Sequence, residues 1–385
     1  MRLSLSPRFV LASLAIGLLA LASCSPAGKA PPVSGPAFFP PPPDPPRLQF
    51  LEAISTDADL PGARRGLTAV LLGDTPLKGF QRPRGVDVYD GIIYVADSVL
   101  RTVIKIDLEQ GLFEPIGDQA GGKLSKPAGL VFADDGTLYV ADVMRRQVMI
   151  YAPGDQHFLT AVGDPETLQP TDVAVHGDRL YIADIKDHEI EVYDRKSLKK
   201  IATIGGEGAG PGEFKYPSFI TTGPDGALYV SDAMNFRVQK LSPEGEFIAS
   251  FGKAGDWTGS FARPKGVAVG PEGLVHVLDA AFENCQIFLP DGRPATVYGG
   301  YGNFEGHMYL PFEITIDTSL LPHYRDRIDP RLRAKYLVLV TNQTGPHKLN
   351  IYAFGEPVGG SEMPPAARPV DQDAAANAGE AENGE

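Results

Sequence analysis

Between residues 80 and 355 the apolar positions fall in short runs separated by Gly, Pro, Asp and Asn, with no helical spacing. One unit recurs: a Pro and a small apolar strand, a turn containing Gly or Asp, then an aliphatic-aromatic strand ending in Asp. The Pro positions are 83, 127, 170, 217, 264 and 311, spaced by 44, 43, 47, 47 and 47 residues. The second strand reads IYVAD (93–97), LYVAD (138–142), LYIAD (180–184), LYVSD (228–232) and VHVLD (275–279), with VLVTN (338–342) in the sixth unit. Third strands follow as VIKID, VMIYA, IEVYD, VQKLS and CQIFL, and fourth strands end at Gly117, Gly163, Gly205, Gly252 and Gly299. Each such sheet can bury its faces only against its neighbours, so the pattern predicts an all-β fold, a six-bladed β-propeller of four-stranded antiparallel blades. From Pro to the closing Asp there are 14 or 15 residues in five units and 31 in the last, so blade 6 carries an insertion of about 16 residues near 320–335.

Only five fourth strands lie within the repeats, and the sixth blade needs one from elsewhere if no edge is to stay open. Closure by an N-terminal strand at 48–54 is expected, because FLEAIS (50–55) resembles FIASFG (247–252) of blade 4. The competing strand is 68–73, since Gly73 precedes Pro83 by the same ten residues that separate Gly117 from Pro127; residues 64–72 could equally form a short helix. The unit resembles the NHL repeat: PRGVDV (83–88), PKGVAV (264–269) and SDAMNFRVQ (231–239) match its motif, and the likeness covers 83–354. WD-repeat propellers are excluded by the single Trp, Trp257, which no Asp follows.

The two ends differ from this body. Arg2 and Arg8 flank an apolar stretch, 9–22, too short to span a bilayer comfortably and laid out like a secretory signal. It ends Leu21-Ala22-Ser23-Cys24, which resembles the lipobox of bacterial lipoproteins. The resemblance implies a signal peptide over 1–23, lipidation of Cys24 and membrane attachment through that anchor alone. Ser25 after the cysteine favours the outer membrane, either face of it. The Pro-rich stretch to residue 46 reads as a polyproline II tether, with the propeller over 47–354 and a solvated acidic Pro/Ala-rich tail over 355–385. Lipobox, tether and the GGEGAGPGEF loop together are similar to a group of bacterial NHL-repeat lipoproteins.

Composition narrows the function classes. Hydrophobic residues at 43% and charged residues at 22% are ordinary for a globular chain. The formal charge of −13 argues against nucleic acid as a partner. Two cysteines cannot make a disulfide framework, and Cys285 sits where other blades start strand three with Val103, Val148 and Val238, a packing position.

Candidate chemistry sits where the loops entering strand one and the loops joining strands two and three share one face around the channel mouth. The strand-two-to-three loops supply Arg101, Arg145, Arg146, Lys186 and Arg237; the entering loops supply Phe214, Tyr216, Trp257, Phe261, Tyr301 and Phe304. Arg84, Thr171, Ser218 and Lys265 follow the Pro of their blades at the mouth itself. Arg and aromatic side chains are the types enriched at binding hot spots. From these the expected binding set is Arg84, Arg101, Arg145, Arg146, Arg237, Lys265, Trp257, Tyr301 and Phe304; pairing of the cations within their own loops is the competing reading.

Two acids break the repeat: Asp172 and Glu313 stand where blades 1, 2 and 5 have Gly85, Gly129 and Gly266. Blades 3 and 6 are opposite, so these carboxylates are expected to face each other across the channel, too far apart to share a proton, and to pair with Arg84 or Lys265. Gluconolactonase-like propellers use Glu, Asn and Asp on calcium, and the peptide-amidating lyases a His set on zinc; neither set is intact here, and no cofactor is implied. Zinc would need its ligands within about 2.1 Å, whereas His157, His176, His188, His276, His307, His323 and His347 are scattered. The expected function is therefore a lipid-anchored, non-catalytic recognition or assembly scaffold at the cell envelope, binding a protein or an anionic polymer on the loop face. The alternative is a metal-dependent lactonase- or lyase-like enzyme using Asp172, Glu313 and His188 at the channel.

Overall fold

The computed structural model describes residues 36–60, 79–116, 121–302 and 304–359. The signal peptide, Cys24, the first part of the tether, the competing strand at 68–73, Gly117 and the tail from 360 lie outside the described residues. Five four-stranded antiparallel sheets and a sixth with one extra strand form a six-bladed β-propeller. The inner strands begin at the six repeat prolines: Pro83–Tyr89, Pro127–Phe132, Pro170–His176, Pro217–Thr222, Pro264–Val269 and Pro311–Asp317. Each packs against the inner strands on either side, and the sixth against the first, which closes the ring.

The second strands show why the blades need each other. Alternate residues of a strand point to opposite faces; in Ile92–Asp97, Ile93 and Val95 enter a core shared with blade 6, while Tyr94 and Ala96 enter one shared with blade 2. Six such clusters lie between adjacent blades, so both faces of every sheet are apolar. Full burial of one of these large side chains stabilises by about 2 kcal/mol.

The sixth blade is assembled from both ends of the domain. Its sheet continues outward from Pro311–Asp317 through Leu332–Asn342 and Leu349–Pro357 to Leu48–Ile54 and the two-residue strand Phe38–Phe39. Ordered structure thus begins ahead of residue 47 and runs past 354: Phe38 and Phe39 pair with Gln49 and Leu48, inside the stretch read as tether. The blade 6 insertion folds as a short helix, Leu321–Tyr324, and a 3-10 turn, Arg325–Arg327, on the side away from the loop face. It clasps the outer strand: Tyr324 donates to Glu52 Oε1 at 2.6 Å, Arg327 to Glu52 Oε2 at 2.7 Å, and Gln49 bonds the backbone of Arg327 and Asp329.

The closing Asp of strand two builds the loop face. Asp97 accepts the N–H groups of Val99 and Leu100 on one oxygen and those of Gln81 and Arg82 on the other, tying the two loops of its blade together. Asp142 ties its two loops likewise, with the N–H groups of Lys126, Met144 and Arg145 on one oxygen and that of Ser125 on the other. In these two blades the turn then closes through a left-handed residue, Arg101 (φ 60°) or Arg146 (φ 58°), whose N–H returns to the carbonyl of that Asp.

Candidate functional site

The rim residues divide by what holds them. Arg145 donates to the carbonyls of Lys123 and Gly121, and Arg146 to those of Leu168 and Glu166. Arg237 is bonded to Asp232 and to the carbonyls of Gly210 and Glu213. These three guanidinium groups brace the entering loops. Phe214 and Phe261 are fully buried and pack where a Cβ on Gly205 or Gly252 would meet them at 2.4 and 2.3 Å. His188 accepts the Tyr216 N–H on Nδ1, so it braces a loop as well. Exposed on the face stand Arg101 and four rings: Tyr216 at 41%, Trp257 at 58%, Phe304 at 64% and Tyr301 at 85%.

At the axis the structure assembles a tighter group. Phe219 of blade 4 and Phe312 of blade 6 meet edge to face, 5.0 Å between centroids, and stopper the channel. The Lys265 ammonium lies over both rings, at 5.5 and 5.3 Å, and the Arg84 guanidinium over Phe312 at 4.7 Å. The Arg84 Nε is buried with no hydrogen-bond partner. Burial, then repulsion from Arg263 and Arg84, brings the Lys265 amine down to about 8 against the pull of Glu313. Burial and Arg82 lower Arg84 too.

Beyond the stopper a cavity of about 70 Å³ is lined by Asp87, Asp172, Glu313, Thr221 and Thr315, room for a few waters. Asp172 and Glu313 each occupy space left by the Gly of the preceding blade: a Cβ on Gly129 would fall 1.8 Å from Asp172 Oδ1, and one on Gly266 2.9 Å from Glu313 Oε1. Asp172 accepts the N–H groups of Val173 and Ile220. Glu313 accepts only a long bond from Ile314, 3.4 Å, and its Oε2 has no partner. Among the described residues neither acid forms an ion pair with Arg84 or Lys265, contrary to the expected pairing. The two interact with each other instead: burial, then the charge of Asp172, pushes Glu313 well above the usual carboxylate range. Burial, opposed by its backbone bonds, raises Asp172 to about 7. Burial raises Asp87 to about 6.

Sequence reasoning missed Phe219, Phe312 and Asp87. Asp87 is the one acid in its column, four residues after the Pro, where the other blades carry Val131, Ala174, Thr221, Ala268 and Thr315. The same column test that found Asp172 and Glu313 applies to it.

The calcium set implied by likeness to gluconolactonase-like propellers does not fit this mouth. Two cations stand there on aromatic faces, and among the described residues no three His, Cys, Asp or Glu side chains come together to hold a metal ion. No family model matches the chain, and no curated protein matches it. Solved propellers do match in fold. A structural-genomics protein of unknown function from Bacteroides thetaiotaomicron superposes with a TM-score of 0.55 and 17% identity, over 79% of this chain and 75% of that one. A gluconolactonase from Xanthomonas campestris gives 0.53 and 16%, over 79% and 97%. A putative gluconolactonase gives 0.51 and 14%, over 77% and 93%. At these identities the likeness is one of fold.

Proposed function

We propose that this chain is a propeller enzyme of the lactonase- or lyase-like kind, acting at the channel mouth on a small substrate that carries a carboxylate or comparable anion. The observation behind this reading is that Arg84 and Lys265 converge on Phe312 without an acidic partner. Crowded cations lower each other's pKa, and an anion placed between them relieves that repulsion. Arg84 supplies a planar fork for a carboxylate, and the two Phe rings supply an apolar face. An amine near 8 is partly neutral at slightly alkaline pH, so Lys265 can take a proton from the carbon beside the carboxylate or from an attacking water. The gluconolactonases among the structural neighbours make an oxygen ester in a ring the first substrate class to try. The test is acid release from a panel of lactones, and the ultraviolet absorbance of the enoate formed with loss of water from hydroxy-carboxylates, by the parent chain and by Lys265→Met. A loss of about 10²–10⁴-fold is expected in the variant; no turnover with any member, together with no displacement of the Lys265 titration by carboxylate anions, overturns the reading.

A second reading keeps a scaffold of the NHL lipoprotein group, anchored through Cys24 at the outer membrane, with the exposed Trp257, Tyr301 and Phe304 rings recognising a partner. It is tested by capture on the full mature chain against one carrying Tyr301→Ser and Phe304→Ser.

A further inference from the structure

The loop face carries an apolar crown that neither the channel chemistry nor the blade cores use. Val99, Met144 and Met234 occupy one position of the strand-two-to-three loops, two residues after the closing Asp of blades 1, 2 and 4, and each is more than half exposed. Trp257, Tyr301 and Phe304 add three exposed rings from the loops entering blades 5 and 6. Blades are rotational repeats, and each loop is held down by the same backbone bond, as from Ser98 to Arg82, Val143 to Lys126 and Ala233 to Tyr216. The equivalent tips Val99, Met144 and Met234 therefore stand at one height around the axis. A globular partner engages one sector of such a ring; a bilayer engages all of it.

The opposite face is built differently. Its hairpin turns carry charged pairs such as Asp178 with Lys196 and Glu244 with Arg179, a surface that keeps its water. On the loop face exposed cations such as Arg101, Lys186 and Lys253 alternate with Asp187, Asp256 and Glu305. That mixture disfavours a strongly charged polymer as occupant and suits interfacial burial of Trp, Tyr, Phe and Met among lipid headgroups.

Leu48–Ile54 runs toward the loop face, where Ile54 pairs with Leu349 just after the last strand-two-to-three loop, and Phe38–Phe39 pairs antiparallel with its first two residues. The lipid anchor expected at Cys24 stands 12 residues before Pro36, a reach of at most about 40 Å in extended polyproline form. Among the described residues no helix is long and apolar enough to cross a membrane.

We propose that the loop face rests on the bilayer surface, with Val99, Met144, Met234, Trp257, Tyr301 and Phe304 inserted at headgroup depth and the channel mouth opening toward the lipid. The proposal shares the lipid anchor with the scaffold reading but requires a contact made by the face itself. Trp257 is the only tryptophan, so its emission reports this face alone. The experiment mixes the mature chain carrying Cys24→Ser, which cannot be acylated, with vesicles of phosphatidylethanolamine and phosphatidylglycerol. A blue shift of the emission, quenching by brominated acyl chains and little loss in high salt are expected. Met144→Glu with Tyr301→Glu and Phe304→Glu, all at exposed positions, should weaken vesicle binding by about tenfold or more with an unchanged melting temperature. Emission indifferent to vesicles, or equal binding by the triple variant, overturns the proposal, as does capture of an envelope protein by a chain that vesicles do not bind. Acylation is read separately, from the mass of the N-terminal peptide of the unmodified protein, so a failed anchor and a failed face are told apart.

Discussion

Glu313 and Asp172 carry the least comfortable charges in the molecule. Their folded-state pKa values lie above those of the unfolded chain, near 4. From there up to the folded value the native state holds protons that the unfolded state has lost, so stability is highest at the acidic end and falls as pH rises through the window, about 4 to 7 for Asp172. Glu313→Gln removes one buried charge and gives up only a 3.4 Å bond. It should raise the melting temperature at pH 8 by roughly 2–4 °C and flatten the fall between pH 5 and 8. Melting curves across that range check it; a variant less stable than the parent at pH 8 contradicts a net cost of the Glu313 charge. At this scale the candidate site was half legible. Asp172 and Glu313 stand out in sequence because they replace the Gly of their column, and Arg84 and Lys265 because they put a cation right after the blade's Pro. Phe219 replaces that Gly in blade 4, and Phe312 shares the column of Arg84 and Lys265, but no column shows that the two rings meet across the axis. Nor could sequence distinguish Arg145, Arg146 and Arg237 from free rim cations, since their acceptors are largely backbone carbonyls, which every residue has.

Elements were more legible than contacts, for a physical reason. The second strands are buried on both faces and short, so they write themselves as apolar pentads closed by Asp, and the Asp is legible because its carboxylate organises two loops at once. The insertion in blade 6 was visible as a length but not as a clasp. Its function depends on Tyr324, fully buried and bonded to Glu52, 272 residues away. Tyr324→Ala opens a cavity in the core shared by blades 6 and 1 and strands Glu52 beside Arg327 alone. A destabilisation of about 3–5 kcal/mol is expected, with amide exchange rising first in Leu48–Ile54, the strand that the insertion holds. Exchange mass spectrometry distinguishes this from general loosening: uniform acceleration in all blades would show that the clasp is not local.

For the whole molecule the ring is what matters. In an open solenoid each repeat leans on its neighbours and the ends fray independently; here every inter-blade core has a counterpart on the far side of each blade, and no blade is terminal. The parent chain should therefore unfold in a single cooperative transition despite its repeats. Deleting residues 1–54 removes the outer strands of blade 6 and leaves Leu349–Pro357 with an unpaired edge bearing Ile351, Tyr352 and Phe354. Such an edge is a template for another chain. The truncated protein should melt at least about 10 °C lower, as expected for loss of several kcal/mol, and should associate as its concentration rises. Calorimetry with size-exclusion at several concentrations reads both effects. A monomer with the parent's melting point would mean that the ring is held by its inner strands alone and that Leu48–Ile54 is an accessory to the sixth blade.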